Sequence, residues 1–384
     1  MVSGFHQPCF RRRPPVEDSQ NQDQKSNVSS FAASSNSLVP RAISARSFEP
    51  TEVASIYNNQ PVVPGPSPPR VTFISFGGAL GIATYTSDLQ VTAGDIITHW
   101  RQQGINPLPS LKVMLVDGAH LDPSDPDSST ENIMDADTIG SFCPGAQITM
   151  ALAPNTSDSM LTVLTAVFNM NPKPNVVSIS WGFPESYAPP AFLQQCNAVL
   201  KQFADAGITV CVATGDTGAQ DSTSTLTTDF PACSPYVCAC GGTKLLSSTN
   251  TYSNTTTVET VWNEGWGNGA TGGGVSKVFS KPAYQNVVSG TTMRSIPDVS
   301  GVADPVTGVQ FIQDNTRIVV GGTSFVAPMF AGAFAAMRCT QFANVPLYKN
   351  MSVFHDITSG NNAQGRSGGY NATSGYDMCG NDEI

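Results

Sequence analysis

Ser324 stands where a serine hydroxyl can serve as a nucleophile. The segment Gly321-Gly322-Thr323-Ser324-Phe325-Val326-Ala327-Pro328 follows an apolar strand, Arg317 to Val320, and runs into a small-residue helical stretch, Phe325 to Met337. That layout predicts a serine at a helix N-terminus, where free N–H groups and the helix dipole favour a developing negative charge. Gly321 and Gly322 allow a neighbouring backbone or a substrate to approach closely. Acyl transfer by such a serine needs a base, for which histidine is the usual residue. The chain has four histidines, His6, His99, His120 and His355. His6 lies in a polar tail, His99 beside Trp100 in a helical stretch, His120 in a turn after Gly118-Ala119, and His355 directly before Asp356.

A carboxylate can replace histidine when the working pH is acidic, because a useful base has a pKa near that pH. In Ser128-Ser129-Thr130-Glu131-Asn132-Ile133-Met134-Asp135, the two acids are four residues apart and share one helical face. Carboxyls held so close share a proton, and their pKa values move apart. Ser128 and Glu131 also match a capping box with Glu131 at the third helical position. A cap would fix where Glu131 points, so the two readings are compatible. A third acid, Asp216, sits in Thr214-Gly215-Asp216-Thr217-Gly218 after the apolar strand Ile208 to Ala213. Ligands of open α/β sheets bind at such carboxyl ends of strands; the same residues also suit an ordinary Asp-containing turn.

The elements that would position these groups alternate. Strand-like runs recur at Val71–Phe76, Val113–Val116, Ile148–Leu152, Val176–Trp181, Ile208–Ala213 and Thr316–Val320. Helical patterns lie between them; Phe192, Cys196, Val199, Leu200 and Phe203 keep helical spacing. This alternation predicts an α/β fold with a mostly parallel central sheet and helices on both faces. Residues 1–46 are polar, carry Arg11-Arg12-Arg13 and serine clusters, and read as a disordered segment. Pro-rich 61–69 reads as a linker into the first core strand. Charged residues make up 12% of the chain and the net charge is −10, which argues against nucleic-acid binding. The nine cysteines show no CxxC pair, so a zinc site is not expected. Cys211, Cys238 and Cys240 lie in apolar runs and read as small core residues. No stretch is long enough to span a membrane. No apolar h-region follows Met1, so no secretory signal is visible, whereas five sequons (Asn27, Asn155, Asn254, Asn350, Asn371) weakly fit a secretory route. The compartment therefore stays open.

From Phe48 to Asp377 the motifs together resemble the sedolisins, or serine-carboxyl peptidases, in that family's order. Phe48-Glu49-Pro50-Thr51-Glu52-Val53 looks like the opening of the mature domain, and Pro144-Gly145-Ala146-Gln147-Ile148 follows the Glu131/Asp135 pair as in the family. Gly215-Asp216-Thr217-Gly218 and the octet around Ser324 are similar to the oxyanion and nucleophile segments. Further matches are Phe230-Pro231-Ala232-Cys233-Ser234-Pro235-Tyr236-Val237, Glu259-Thr260-Val261-Trp262-Asn263, Gly272-Gly273-Gly274-Val275-Ser276 and Ile296-Pro297-Asp298-Val299-Ser300. The resemblance implies a subtilisin-like fold with Ser324 as nucleophile, Glu131 as base, Asp135 as its partner and Asp216 in the oxyanion hole. It implies that Ser180, Trp181 and Gly182 pair with substrate backbone.

The resemblance also implies one bound calcium ion. Phe354 to Asn362 and Ser374 to Asp377 look like the halves of a calcium loop, with carboxylates from Asp356 and Asp377 and carbonyls from Ile357, Thr373 and Gly375. Such hard oxygens suit calcium. Family members carry a large prodomain before the peptidase domain. The expected organisation here is residues 47–384 as a monomeric peptidase domain without one, acting on peptides or proteins. Thr217 and Gly321 stand where serine is usual, Thr373 where glycine is usual, and Asp137 where an amide or Glu is common. None of these departures removes a catalytic group. The implied activity is an acid-active endopeptidase or tripeptidyl-peptidase; the alternative is a catalytically silent relative that uses the groove for binding or structure.

Overall fold

A computed structural model describes residues 46–253, 257–351, 354–364 and 368–380. The expected disordered segment lies outside them except for Arg46, whose guanidinium is held by Glu52 at 3.1 Å and Asn250 at 2.8 Å. The central sheet is built from strands β1 (Arg70–Ser75), β2 (Ser110–Leu115), β3 (Gln147–Leu152), β4 (Val176–Ile179), β5 (Thr209–Ala213), β6 (Cys238–Ser247), β7 (Thr257–Val261) and β8 (Val299–Val302). Their order is β7-β6-β5-β4-β1-β3-β2, with β8 also pairing β6. Every pairing is parallel except β6 with β7, an antiparallel edge. The inner strands are apolar runs because both faces are covered. Along β1, Val71 and Phe73 enter one core and Ile74 the other.

Helices α1 (Pro50–Ile56), α2 (Asp95–Gln102), α3 (Pro126–Phe142) and α6 (Thr323–Ala336) cover the first face, and α4 (Ser159–Phe168) and α5 (Pro190–Asp205) the second. Helix α5 buries Leu193, Cys196, Leu200 and Phe203; of the stripe expected from its spacing, Phe192 and Val199 are only half-buried beside it. The expected α/β architecture is therefore present, with two corrections. Thr316–Val320 does not join the parallel sheet. It forms an antiparallel hairpin with Val309–Gln313, closed by Asp314 and Asn315 at φ 53° and 59°. Two successive left-handed residues suit a tight hairpin turn, a signal that outweighed the β–α alternation. Nor is the proline-rich segment a free linker. Val63 N–H bonds the Ala336 carbonyl at 2.8 Å, and Arg338 donates to the Val63 and Ser67 carbonyls, tying the segment to the end of α6.

The eight described cysteines form no disulfide, and Cys211, Cys238 and Cys240 are buried on adjacent strands. Beneath β8 the Arg294 guanidinium is fully buried and paired with Asp298, which also accepts from Ala239 N–H at 2.7 Å and Tyr348 OH at 2.8 Å. Removing one partner strands a buried charge. Asp298→Ala should therefore destabilise the protein by about 3–5 kcal/mol, read as a shifted denaturant midpoint at unchanged slope. A double change that also replaces Arg294 with leucine should cost less than Asp298→Ala alone.

Candidate active site

Helix α3 is unusual because residues 128–142 are all buried although many are polar. A polar helix can be buried when its side chains have dedicated partners. Ser129 Oγ accepts from Ala79 N–H at 2.9 Å, Asn132 Nδ2 donates to the Gly77 carbonyl at 2.9 Å and the Ala79 carbonyl at 3.0 Å, and Thr130 Oγ1 donates to Gln313 Oε1 at 2.6 Å. Glu131 is an exception, since neither carboxyl oxygen has a hydrogen-bond partner among the described residues; Asp135 Oδ2 is in the same position. The expected capping box is not what starts this helix. Asp125 is the N-cap, accepting from Ser128 N–H at 3.1 Å, and Pro126 takes the first helical position. Proline pre-organises that position and outcompetes a later start. Glu131 is consequently well inside the helix, one turn before Asp135, and both point into the protein.

Helix α6 brings Ser324 to the same place. All fourteen of its residues are buried, and it starts at Thr323, two residues before the expected position. Pro328 lies inside it and has no N–H to offer the carbonyl four residues back, which is that of Ser324. The freed Ser324 carbonyl is met by Ser180 Oγ at 3.2 Å, and Ser180 Oγ also lies 2.6 Å from Asp135 Oδ1. In return, Ser324 Oγ donates to the Ser180 carbonyl at 3.4 Å. A hydroxyl has one proton to give. Both contacts of Ser180 are satisfied together when Asp135 is protonated and donates to Ser180 Oγ, which then donates to Ser324. The hydroxyl of Ser180 thus joins the acid helix to the serine helix, a role that the sequence did not suggest.

Asp216 follows β5 and closes the cluster. Its Oδ1 accepts from Thr323 N–H and Thr323 Oγ1, both at 2.8 Å, so it caps the first turn of α6. Its Oδ2 is buried without a partner. Gly322 makes this approach possible. It holds φ 129°, and a Cβ there would lie 2.6 Å from Asp216 Oδ2.

Burial sets the electrostatics. Desolvation, reinforced by the neighbouring charges of Asp135 and Asp216, raises Glu131 well above the usual carboxyl range, while the Ser324 and Ser180 hydroxyls oppose the rise. Asp135 is raised by burial, opposed by Ser180. Asp216 is raised by burial to about 6, with the bonds from Thr323 opposing. This region therefore holds protons in mild acid. His99, by contrast, is occupied elsewhere. Its Nδ1 lies 2.6 Å from Asp137 Oδ2 and its Nε2 2.8 Å from Glu49 Oε2. Burial disfavours the imidazolium, but these two carboxylates prevail and lift its pKa to about 9. A histidine that stays protonated below pH 9 and is bound on both nitrogens offers no base. His355 packs on Tyr252 with ring centroids 4.8 Å apart, and His120 is exposed.

Ser180, Trp181 and Gly182 border a cleft that Asp216, Thr217 and Thr323 also line. Asp221 and Asp229 line it as well, and the sequence reading passed over both. The available signal was weak: an acid five residues after Asp216, and another directly before Phe230-Pro231. The C-terminal acids lie in a separate loop. Asp356 Oδ2 accepts from Gly375 N–H at 2.8 Å, and Asp377 Oδ2 from Thr373 N–H at 2.9 Å, so the two carboxyls gather on one turn. Asp377 Oδ1 takes Cys379 N–H at 3.0 Å and Gly380 N–H at 2.8 Å, whereas Asp356 Oδ1 is buried without a partner. Among the described residues no three His, Cys, Asp or Glu side chains converge on a metal position, so carbonyls would complete any site here. This loop also reaches the active region: Ala219 N–H bonds the Asn362 carbonyl at 3.0 Å, three residues beyond Asp216.

Comparison with known proteins agrees with this arrangement. The sequence model of the subtilase family matches residues 127–351, which include the acid pair, Asp216 and Ser324. Kumamolisin of Bacillus sp. (strain MN-32) is 36% identical over 375 residues, covering 91% of this chain and 63% of that protein. Sedolisin of Pseudomonas sp. (strain 101) is 33% identical over 364 residues, with 87% and 59% covered. The chain thus spans about three fifths of the length of these two relatives. The solved structure of Pseudomonas sedolisin, a serine-carboxyl proteinase complexed with two molecules of pseudo-iodotyrostatin, superposes with a TM-score of 0.72 at 28% identity, covering 88% of this chain and 95% of that one. In fold, in family match and in relatives, the chain belongs to the subtilase family and, within it, to the sedolisins.

Proposed function

We propose that the protein is an acid-active serine-type peptidase, an endopeptidase or tripeptidyl-peptidase, that cleaves peptide or protein substrates through an acyl-enzyme. The observation that carries this reading is the junction of α3 and α6. The buried carboxyl of Asp135 is joined to Ser324 through Ser180, Glu131 lies buried one turn before it on the same helix, and among the described residues His99 is bound on both nitrogens and offers no base.

In this reading Ser324 Oγ attacks the scissile carbonyl in the molecules whose Glu131 is ionised and passes its proton to that carboxylate, which later returns it to the leaving amine. Asp135, one turn further along α3 and held through Ser180, keeps Glu131 in position. The carbonyl oxygen becomes an anion beside Asp216 Oδ2 at the N-terminal end of α6, where the helix dipole favours negative charge. Ser180 to Gly182 leaves the sheet after β4 beside this cleft and offers backbone to an extended substrate. The reading is of a monomer, and no helix among the described residues is long and apolar enough to cross a membrane. Peptide cleavage scanned from pH 3 to pH 8, with Ser324→Ala as control, tests it; cleavage should occur in acid and vanish in the variant. Absence of Ser324-dependent cleavage across that range would favour the silent, binding alternative.

Calcium belongs to the same reading. The loop fits one ion: Asp356 has an orphaned buried oxygen, Asp377 faces the same turn, and Ile357, Thr373 and Gly375 would supply carbonyls. A bound ion there would fix the loop whose Asn362 carbonyl supports the Asp216 turn. An ion that binds only the folded state stabilises it by mass action. Chelator should therefore lower the melting temperature by several degrees, and Asp377→Ala should remove the chelator response. A melting temperature indifferent to chelator, with no metal in elemental analysis, would discard the site.

A further inference from the structure

Residues pair across β1, β3 and β2 in three rows: Arg70–Gln147–Ser110, Thr72–Thr149–Lys112 and Ile74–Ala151–Met114. Side chains two apart on a strand share a face, so these nine stand on one side of the sheet. The third row belongs to the core under α4 and α5. A parallel sheet covered by helices calls for apolar residues in the first two rows as well, yet all six there are polar. They line a cleft of about 420 Å³ whose opposite wall is the turn after α4, with Met170, Pro172 and Pro174. Arg70, Ser110 and Gln147 open their strands, whereas Ser180 and Asp216 follow the ends of theirs. This cleft therefore lies at the other edge of the sheet from Ser324, and the reaction just described does not use it.

Two cations face each other here with no anion between them. Arg70 Nε donates to the Lys173 carbonyl at 2.8 Å, which holds the guanidinium against the turn, and its Nη groups have no partner among the described residues. The Lys112 ammonium makes no hydrogen bond or ion pair among those residues and acts at a distance on exposed Asp88. Their strands are two apart, about 10 Å, a gap that both long side chains can bridge over Thr149. Thr149 is 6% exposed, and Thr72 Oγ1 points at Met170 Sδ, 3.8 Å away. Among the described residues no Asp or Glu lines the cleft, although the chain carries a net charge of −10. We infer that this cleft binds a small phosphate or sulfate monoester. The oxyanion sits between Arg70 and Lys112 over the Thr149 hydroxyl, and the apolar body of the ligand lies against Met114, Met170 and Pro172. A guanidinium fork matches such an oxyanion, methionine adapts to the shape of an apolar body, and the volume suits a small molecule. A sheet face that only met water would need no methionine and proline wall over it.

Calorimetry on the full chain at neutral pH and low salt tests the site, with phenyl phosphate, phenyl sulfate, inorganic phosphate and phenol as probes. At least one of the two esters should bind one to one with a Kd below about 1 mM, inorganic phosphate more weakly and phenol not measurably. The tighter ester shows which oxyanion the site takes. Binding should weaken with added salt, as attraction between partly exposed charges does. Lys112 is exposed, so Lys112→Glu should leave the melting temperature unchanged while weakening the tighter ester at least about tenfold. Arg70→Gln should weaken it similarly, and Met170→Ser should remove the advantage of phenyl phosphate over inorganic phosphate. No saturable heat up to about 10 mM of either ester, phenol binding as tightly as the esters, or an affinity unchanged in both Lys112→Glu and Arg70→Gln would overturn the site. None of these measurements involves turnover, so the site stands or falls apart from the peptidase reading.

Discussion

Glu131→Gln should abolish peptide cleavage as thoroughly as Ser324→Ala, each lowering kcat by about 10⁴–10⁶. Glutamine keeps the size of the side chain but cannot take a proton, so the hydroxyl attacks without a base. The two residues act as one unit, and the double variant should be no worse than the worse single. Burial supports the expectation of clean knock-outs. Glu131 is fully buried, its oxygens have no other partner, and an amide in its place removes a desolvated acid rather than a stabilising contact. The variant should therefore melt at or above the wild-type temperature while losing activity. Near-full turnover by folded Glu131→Gln would take the base role away from this residue. Ser180→Ala should show an intermediate loss, because the hydroxyl holds Asp135 and the Ser324 carbonyl in register but does not touch the substrate carbonyl.

The serine was legible because everything that places it is local. A strand, paired glycines and a run of small residues are contiguous, and the helix follows in the same twenty residues. The acid pair was legible in spacing but not in setting. Its helix starts at Pro126, and the burial of α3 depends on Gly77, Ala79, His99 and Gln313, which are distant in sequence. The Ser180 hydroxyl and the Asp229 carboxyl were not legible at all. Ser180 was read for its backbone, and its side chain acquires meaning only when Pro328 frees a carbonyl 144 residues away. Asp229 precedes a recognisable motif and looks like a turn residue until the chain returns it over Gly182. The hairpin at Thr316–Val320 misled for a related reason: an apolar run before a helix suggests a parallel strand, whereas its actual partner was the preceding strand.

Asp216→Ala should cost about 10²–10³ in kcat, and Asp216→Asn should cost less while changing the pH profile. Asp216 Oδ1 is committed to Thr323, so only Oδ2 can donate to a developing oxyanion, and it can do so only while protonated. Burial places that proton at a pKa of about 6. The wild-type rate should therefore fall on the alkaline side near pH 6, as Asp216 ionises and its charge opposes the oxyanion. Asparagine keeps a donor that does not titrate, so this limb should flatten or move upward in Asp216→Asn. Stability should follow the same proton with a determinate sign. The folded pKa lies above the value in the unfolded chain, so the folded state binds more protons between about pH 4 and pH 6. The contribution is present in full below that window and is lost as pH rises through it. Glu131, Asp135, Asp221 and Asp229 are raised in the same direction, so the melting temperature should decline from pH 4 towards pH 7. Asp216→Asn should decline less steeply and gain relative to wild type above pH 6. A cleavage optimum at neutral or alkaline pH, or an alkaline limb identical in wild type and Asp216→Asn, would sink the carboxyl-donor mechanism.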